Sequence, residues 1–554
     1  MSDFSSLAEA FLRREWELSP VRASGLGLTE YDERLDDLSA ETFEQRDIEV
    51  TEWRGRFEAL PEADLTHDER IDRELLLANL RGREIAADWR AWRRDPLVYS
   101  GPALDGIYRL FLHRLRPEPE LIDAAVARME QIPRALEQGR ANLEPALAHA
   151  LIVGRGAAAA RGGVRYLREL LPAEVSEGEG RERLQRAGES AAAALEAWVA
   201  HLDTLAERAS GSWQFGEERY SRLLQEREML ADDARSLRER GRTEYERLDA
   251  EMRALARDIS GSEDWVQLLE EADQDHPPTE EAMRQAYEDW TARARAFLEQ
   301  TGLASLPPGE RCLVEPSPVF QRPVIGVASY IAPPMYSAGM TGHFFVPFAP
   351  DGTPEEEVQQ RLAANSHGGI PTTAVHEAYP GHHWHLVSMK ANPSRVRRAY
   401  GTSYFSEGWA LYAERVMRER GFFEEPLHEL YHLNATIFRA ARIVVDTSLH
   451  LGEMSYDEAV RFMVEKTALP EPTARAEVGR YCWWPTQASS YLTGCLEILR
   501  IRDRFLAARG AGDTPATQVD AAVLRDFHDR LAGSGALPLG LAERALMEPL
   551  AAAV

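Results

Sequence analysis

The chain has 554 residues, of which 44% are hydrophobic and 28% charged, so it is long enough for more than one hydrophobic core. Its formal net charge of −27 argues against nucleic acid as a partner, because phosphate binding needs a basic surface. Cys312, Cys482 and Cys495 show no paired spacing, which disfavours a disulfide framework.

The N-terminal residues lack the basic segment and the apolar segment that make up an export signal. No stretch approaches the roughly 18 consecutive apolar residues that a membrane span requires. Together with the few cysteines, these features predict a cytoplasmic protein that has no membrane partner.

Residues 1–304 are predicted to form a helical scaffold. Apolar residues recur at three- and four-residue spacing over 65–94, where Thr66 is a candidate N-cap, and again over 119–151 and 190–210. These alanine-rich, charged segments show no catalytic pattern, so we assign no chemistry to them.

Residues 305–554 are predicted to form the metal-site region, continuous with the scaffold in one two-lobed unit. Residues 305–350 are rich in β-branched and aromatic types punctuated by Pro and Gly, which predicts a small sheet of two to four strands. A helix is expected next, with Thr353 and Glu356 as its capping box, and the rest is mostly helical. The expected fold is mainly α, a large helical body with a small sheet flanking an active-site cleft.

The segment TTAVHEAYPGHHWHLVSM contains four of the chain's 15 histidines, all within a stretch of ten residues. His376-Glu377 begins like the motif H-E-x-x-H, in which histidines one helical turn apart bind zinc and the glutamate activates water. Pro380 takes the place of the second histidine, and its ring and missing N–H exclude a regular helix there. Either His382 or His383 can serve instead if Pro-Gly forms a bulge that the helix reabsorbs.

A third ligand is predicted at Glu407, 31 residues after His376, in the helical segment YFSEGWALYAERVMRER. Two histidines and one carboxylate with an open fourth position are typical of a catalytic zinc site. Glu414 lies seven residues later on the same helix face, either holding a histidine ring or facing solvent. His385 is interpreted as a packed helix residue.

A peptidase also needs a hydrogen-bond donor for the developing oxyanion. The segment RYCWWPTQASSYLTG offers Tyr481 and Tyr491, for which aromatic packing is the alternative role. Arg442, Asp446 and His450 recur every four residues, so they share one helix face. That face is either a surface ladder of ion pairs or places His450 toward the site.

The segments HEAYPGHH and SEGWALYAE resemble the bacterial family known as domain of unknown function 885, which is placed near the gluzincin metallopeptidases. SPVRASGLGLTEYDERL, FGEERYSRLL and RIVVDTSLH extend the resemblance over most of the chain. The resemblance implies a fold like those of gluzincins and thimet oligopeptidase, and zinc-dependent hydrolysis of peptides.

Individual residues carry over by motif. SEGWALY resembles the helix that supplies the zinc-binding glutamate in aminopeptidase N relatives, which implies Glu407 as a ligand. PGHHWH resembles the G-H-x-x-H end of the thimet oligopeptidase motif, which implies His382 rather than His383. Tyr491 resembles the tyrosine after the family's Pro-x-Gln-Ala turn, which favours it over Tyr481. The turn itself departs from the expected Pro-Gly-Gln-Ala, because this chain has threonine in place of the glycine.

The sequence thus predicts a zinc-dependent hydrolase, with a small peptide as the substrate and one Zn²⁺ per chain, although Mn²⁺ or Co²⁺ suit the same donors. The predicted catalytic residues are Glu377 as general base, Tyr491 and His450. Two alternatives stay open, namely a metalloenzyme with a non-peptide substrate and a non-catalytic binding protein stabilised by its metal. The predicted metal ligands are His376, His382 and Glu407.

Overall fold

The computed structural model describes residues 2–318, 322, 326–350 and 352–551. Their contacts divide these residues into two compact units. The first comprises residues 2–213, 318, 322 and 333–339, and the second comprises 214–317, 326–332, 340–350 and 352–551. Within these ranges, no helix combines the length and the apolar character that a membrane crossing requires.

All the regular secondary structure among the described residues of the first unit is helical. Thr66 caps the fourth helix in a capping box with Glu69, as its place before the apolar periodicity predicts. The α-helices of this unit are α1 (Asp3–Leu18), α2 (Pro20–Gly25), α3 (Ala40–Glu58), α4 (His67–Ala87), α5 (Leu97–His113), α6 (Glu118–Asn142), α7 (Ala150–Arg165) and α8 (Glu179–Arg208).

The second unit contains all the predicted site residues and combines helices with three strands. Its strands are β1 (Arg311–Pro316), β2 (Ser329–Ile331) and β3 (Thr341–Val346). Its helices are α9 (Glu217–Arg222), α10 (Ala234–Ser260), α11 (Trp265–Ala272), α12 (Glu280–Thr301), α13 (Glu355–Ala363), α14 (Ile370–Glu377), α15 (His382–Met389), α16 (Arg395–Ala399), α17 (Ser403–Glu419), α18 (Pro426–His450), α19 (Tyr456–Thr467), α20 (Glu471–Trp483), α21 (Ser490–Ala508), α22 (Ala521–Gly533) and α23 (Leu539–Ala551).

The three strands form one sheet in the order β1-β3-β2. β1 runs parallel to β3, and β2 runs antiparallel to it with Tyr330 opposite Phe344. Phe344 is fully buried and contacts the Tyr287 ring of α12 edge-on, with centroids 5.5 Å apart, so the sheet packs on this helix. The prediction of a mainly α protein with a small sheet is confirmed.

The predicted capping box before α13 is wrong. The helix begins at Glu355, and its N-cap is Pro354, which offers no side-chain oxygen. Thr353 lies one residue too early, and its hydroxyl donates instead to the carbonyl oxygen of Pro350 at 2.7 Å. The Thr353 hydroxyl is therefore bonded within the preceding turn and does not cap the helix.

α17 and α21 approach each other through two glycines. A Cβ atom on Gly494 would overlap the carbonyl oxygen of Tyr404, and one on Gly408 would press on the backbone of Gly494. Only glycine permits this approach. Because Gly408 follows Glu407, and Tyr491 lies one turn before Gly494, the crossing brings Tyr491 within electrostatic range of Glu407.

Candidate metal centre

The histidine segment folds as two helices. α14 ends at Glu377 and α15 begins at His382, so the chain breaks where Pro380 cannot continue a helix, and the expected bulge within a single helix is wrong. Gly381 lies so close to the carbonyl oxygens of the last turn of α14 that a Cβ would overlap them. The indole N–H of Trp409 in α17 donates to the carbonyl of Pro380 at 2.8 Å, which ties the break to α17.

This break brings His376, His382 and Glu407 together, with one potential ligand atom of each within 4.8 Å of the others. Glu407 Oε2 lies 3.8 Å from Nε2 of His376 and 3.3 Å from Nε2 of His382. The side chains of His382 and Glu407 retain 14% and 19% of their exposure. The cluster is therefore accessible from at least one side.

Behind His376 lies Glu414, whose side chain is completely buried. Its Oε1 accepts the Nδ1–H of His376 at 2.7 Å, and its Oε2 accepts from Nδ1 of His432 at 3.3 Å. Because a carboxylate can only accept, Nδ1 of His376 carries the hydrogen and Nε2 faces the cluster. Glu414 thus holds an imidazole ring and does not face solvent.

The carboxylates of this cluster stabilise positive charge on the neighbouring groups. Burial alone would lower the pKa of His376, but Glu407 and Glu414 outweigh it and raise the pKa to about 9. Burial favours the neutral form of Glu414, but hydrogen bonds from His376 and His432 lower its pKa to about 2. Burial would also raise the pKa of Glu407, but hydrogen bonds from His376 and His382 outweigh burial and lower it.

The donor set fits a divalent metal ion. Two imidazole nitrogens and one carboxylate oxygen are the ligands of catalytic zinc sites, and the lack of a cysteine separates the cluster from most structural zinc sites. Manganese and cobalt accept the same donor types. The buried negative charge of Glu414 behind one ligand is the partner that metal-bound histidines usually have.

His383 belongs to a different network. Its Nε2–H donates to Glu310 at 2.8 Å, and its Nδ1 accepts from the hydroxyl of Tyr330 at 2.8 Å. Glu310 also accepts from the hydroxyl of Tyr379. Burial would raise the pKa of Glu310, but its donors lower it to about 2. Of the two histidines left open by the helix break, His382 faces the cluster and His383 is fully occupied elsewhere.

Glu377 is the last residue of α14 and directly follows the candidate ligand His376. It is 8% exposed. Among the described residues its carboxylate has no hydrogen bond or ion pair, although its negative charge contributes to the raised pKa of His376. A buried carboxylate that the fold does not use is available for chemistry.

The two candidate tyrosines differ in how the hydroxyl hydrogen is used. Tyr481 donates its hydrogen to Glu477 at 2.7 Å and is fully buried. The Tyr491 ring stacks on His376 with centroids 6.4 Å apart, and its oxygen accepts from Gln487 at 3.2 Å. In the described part of the chain the hydroxyl hydrogen of Tyr491 has no acceptor, so it can be donated to a substrate.

His450 is 1% exposed and bonds to the main chain through both ring nitrogens. Its Nδ1 accepts from the N–H of Phe215 at 3.2 Å, and its Nε2–H donates to the carbonyl of Tyr481 at 3.1 Å. Asp446, one turn earlier, accepts from the hydroxyl of Tyr220 at 2.6 Å. This helix face is buried and is not a surface ladder, and His450 offers no nitrogen to a substrate. The proposed function below therefore gives His450 no catalytic role.

Sequence reasoning missed Glu310, His432 and Arg439. The guanidinium of Arg439 lies 4.0 Å from Glu414, on the same side of α18 as His432. Polar residues seven positions apart on an otherwise buried helix were the available signal for this pair. Glu310 precedes β1 in a loop and carries no local pattern.

The fold and the cluster together define a mainly helical protein with a candidate metal centre. The sequence profile of the family described as "Bacterial protein of unknown function (DUF885)" matches residues 20–546, and the chain belongs to this family. No curated protein matches the chain.

Two solved structures share the fold. One is "a putative lipoprotein of unknown function from Shewanella oneidensis", 20% identical, with 99% of this chain and 100% of that chain aligned and a TM-score of 0.79. The other is "the putative lipoprotein from Colwellia psychrerythraea", 19% identical, with 100% of each chain aligned and a TM-score of 0.76.

These two structures contradict the predicted cytoplasmic location, because both proteins are described as lipoproteins. The prediction relied in part on the few cysteines. That signal does not discriminate, because a chain with a large hydrophobic core is stable without disulfides in any compartment. The prediction of a cytoplasmic location is withdrawn.

Proposed function

We propose that this protein is a zinc-dependent metallopeptidase of the gluzincin type that hydrolyses small peptides. The observation that carries the proposal is the accessible cluster of His376, His382 and Glu407 with Glu377 beside it. A structural metal site is usually closed, and it has no use for a buried, unpaired carboxylate next to a ligand.

In this proposal His376, His382 and Glu407 would hold the metal, which supplies Lewis-acid activation of the attacking water and of the scissile carbonyl. Glu377 removes a proton from the water as the water oxygen bonds to the carbonyl carbon. It then passes this proton to the leaving nitrogen as the C–N bond breaks. The hydroxyl of Tyr491 donates to the carbonyl oxygen while that oxygen becomes negative.

Two further residues position this machinery without touching the substrate. Glu414 keeps the hydrogen of His376 on Nδ1, which leaves Nε2 for the metal. His432 bonds the second oxygen of Glu414 and so fixes the orientation of that carboxylate. The ligand His376 is therefore held by a buried carboxylate whose own orientation is fixed.

The test is digestion of a defined mixture of short peptides, read by mass spectrometry. The chain is stripped of metal with a chelator and reloaded with one equivalent of zinc, and new peptide ends should appear only after reloading. The Glu407→Ala chain, treated identically, is the control that lacks one ligand. Zinc uptake without cleavage of any peptide would favour the binding protein or a non-peptide substrate, and absence of uptake would remove the basis of the proposal.

A further inference from the structure

Three arginines lie beside the candidate metal centre. The guanidinium groups of Arg442 and Arg439 lie 4.8 Å and 5.7 Å from the ring centroid of Tyr491. The charge of Arg480 also acts on this tyrosine, lowering the pKa that burial raises. The ring of Tyr491 in turn stacks on His376, one of the proposed ligands.

Two of the three share one carboxylate. Arg442 donates to Glu477 at 2.7 Å and to the hydroxyl oxygen of Tyr481 at 3.0 Å. Arg480 donates to the same oxygen of Glu477 at 3.0 Å. The single negative charge of Glu477 is therefore shared by the positive charges of Arg442 and Arg480.

Arg439 is bonded differently. Its Nη1 donates to the carbonyl of Ala435 in its own helix. The oxygens of Glu414 already accept from His376 and His432, and the nearer one is 4.0 Å from Arg439, which is too long for a hydrogen bond. Within the described part of the chain, the buried Nε of Arg439 has no hydrogen-bond partner.

The neighbouring Nη2 of Arg439 also has no hydrogen bond among the described residues, but unlike Nε it is not buried, so a ligand can reach this edge of the guanidinium group. The side chain of Arg439 is only 16% exposed, and a buried N–H that lacks an acceptor costs free energy. The guanidinium edge presents parallel N–H groups whose geometry matches a carboxylate, and such paired contacts are stronger than neutral hydrogen bonds. A carboxylate on the substrate is therefore the complementary group.

We propose that Arg439 binds the C-terminal carboxylate of the substrate, so that the enzyme removes residues from the C-terminal end of short peptides. The inference rests on the proposed peptidase function. The substrate class is short peptides with a free C-terminal acid, and peptides with a C-terminal amide are poor ligands.

Binding is tested without turnover. Isothermal calorimetry on the zinc-loaded Glu377→Gln chain compares acetyl-tetra-alanine with the same peptide carrying a C-terminal amide. The acid should bind about 10- to 100-fold more tightly, since a hydrogen bond to a charged group contributes on that scale. Combining Arg439→Gln with Glu377→Gln should remove the difference. Arg439→Lys in its place should restore part of it, because lysine has the positive charge but lacks the paired N–H groups of the guanidinium. Equal binding of both peptides, or no binding of either, overturns the inference.

Two controls separate this role from others. Arg461→Gln removes the same charge from an exposed position on α19 and should leave the preference for the acid intact. The zinc affinity of the Arg439→Gln chain should equal that of the parent. A lower zinc affinity would show that Arg439 acts through Glu414 on the metal ligands, which contradicts a contact with substrate.

Hydrolysis distinguishes a failure of this inference from a failure of the proposed function. If the zinc-loaded parent chain cleaves the acid and the amide equally well, the carboxylate site is wrong and the peptidase stands. If the acid binds selectively through Arg439 but neither peptide is cleaved, nor any other in the mixture, the peptidase is wrong and the carboxylate site stands.

Discussion

Glu414 and His376 face each other across α17 and α14, with Oε1 of the glutamate 2.7 Å from Nδ1 of the histidine. The carboxylate is completely buried and stays ionised, because hydrogen bonds from two histidines lower its pKa to about 2 despite burial. One tautomer of His376 is thereby fixed, and the lone pair of its Nε2 is directed toward Glu407 once the ring is neutral. Loss of this hydrogen bond should therefore lower the affinity for the metal as well as the stability of the fold.

Glu414→Gln keeps the shape of the side chain and removes its charge. We expect the zinc affinity to fall about 10- to 100-fold, as is typical when a partner behind a metal-binding histidine is lost. Competition with a chromophoric chelator measures the affinity. Glu419→Gln changes a carboxylate on the same helix that pairs with Arg502, and it should leave zinc affinity unchanged. Equal affinities in the parent and Glu414→Gln chains would contradict the role assigned to Glu414.

Replacement of His382 should affect zinc binding, whereas replacement of His383 should affect stability. His382→Ala removes a ligand and should abolish zinc retention after gel filtration. His383→Ala leaves all three ligands in place but removes one hydrogen-bond donor from Glu310 and the acceptor of the Tyr330 hydroxyl, so it should lower the free energy of unfolding by roughly 1–3 kcal/mol. Elemental analysis and urea unfolding give the two quantities. Loss of zinc in His383→Ala with retention in His382→Ala would reverse the assignment.

The sequence revealed those parts of this site that depend on local constraints. Pro380 cannot continue a helix, whatever the fold, so the break after Glu377 follows from the residue type alone. His376 and Glu407 each lie in a segment whose motif and helical pattern are visible in the sequence. The small sheet was visible for a similar reason, since β-branched residues and Pro-Gly punctuation are local properties.

Contacts between distant segments could not be read in this way. The role of His383 depends on Glu310, which is 73 residues away, and on Tyr330 in a separate strand. The burial of His450 depends on Phe215, 235 residues earlier in the chain. Periodicity placed His450 on a helix face but gave no information on what that face packs against.

The two tyrosines offer a second matched pair of substitutions. Tyr491→Phe removes a hydroxyl whose hydrogen has no acceptor among the described residues. It should lower kcat about 10²-fold with little change in KM or zinc content, since oxyanion donors act mainly in the transition state. Tyr481→Phe removes a hydroxyl that is bonded to Glu477, and it should mainly lower stability. Steady-state kinetics on one responsive peptide and thermal unfolding separate these effects. Full activity in Tyr491→Phe would exclude its phenol as the oxyanion donor.

His528 provides a pH-dependent contribution to stability. Its Nδ1–H donates to the carbonyl of Leu303 at 2.8 Å, and its Nε2 accepts from the hydroxyl of Tyr412 at 2.8 Å. Burial lowers its pKa to about 4, compared with about 6.5 in an unfolded chain. Between these values the unfolded chain binds a proton that the folded chain does not, so the contribution of His528 falls as the pH falls.

The His528→Gln chain cannot take up a proton at this position in either state, so it lacks this pH-dependent contribution. The difference in free energy of unfolding between parent and variant should be largest above about pH 6.5 and shrink by roughly 1.4 kcal/mol per pH unit toward about pH 4. Urea unfolding at several pH values measures it. His367→Gln, at an exposed position, should keep the pH dependence of the parent. A difference that stays constant, or grows on acidification, would contradict a buried neutral His528.

The most decisive substitution separates metal binding from chemistry at Glu377. In the proposed function its carboxylate acts on the attacking water and is not a ligand. Glu377→Gln keeps the size and loses the base, so it should bind zinc like the parent while turnover falls at least ~10²-fold, the lower end for general-base catalysis. Glu407→Ala should lose zinc and activity together, because two histidines alone hold the metal poorly. Zinc content and hydrolysis rate, measured on the same preparations, are sufficient for the comparison. Full activity in Glu377→Gln would refute the general base, whereas loss of zinc in that variant would make Glu377 a ligand and require the H-E motif to be reassigned.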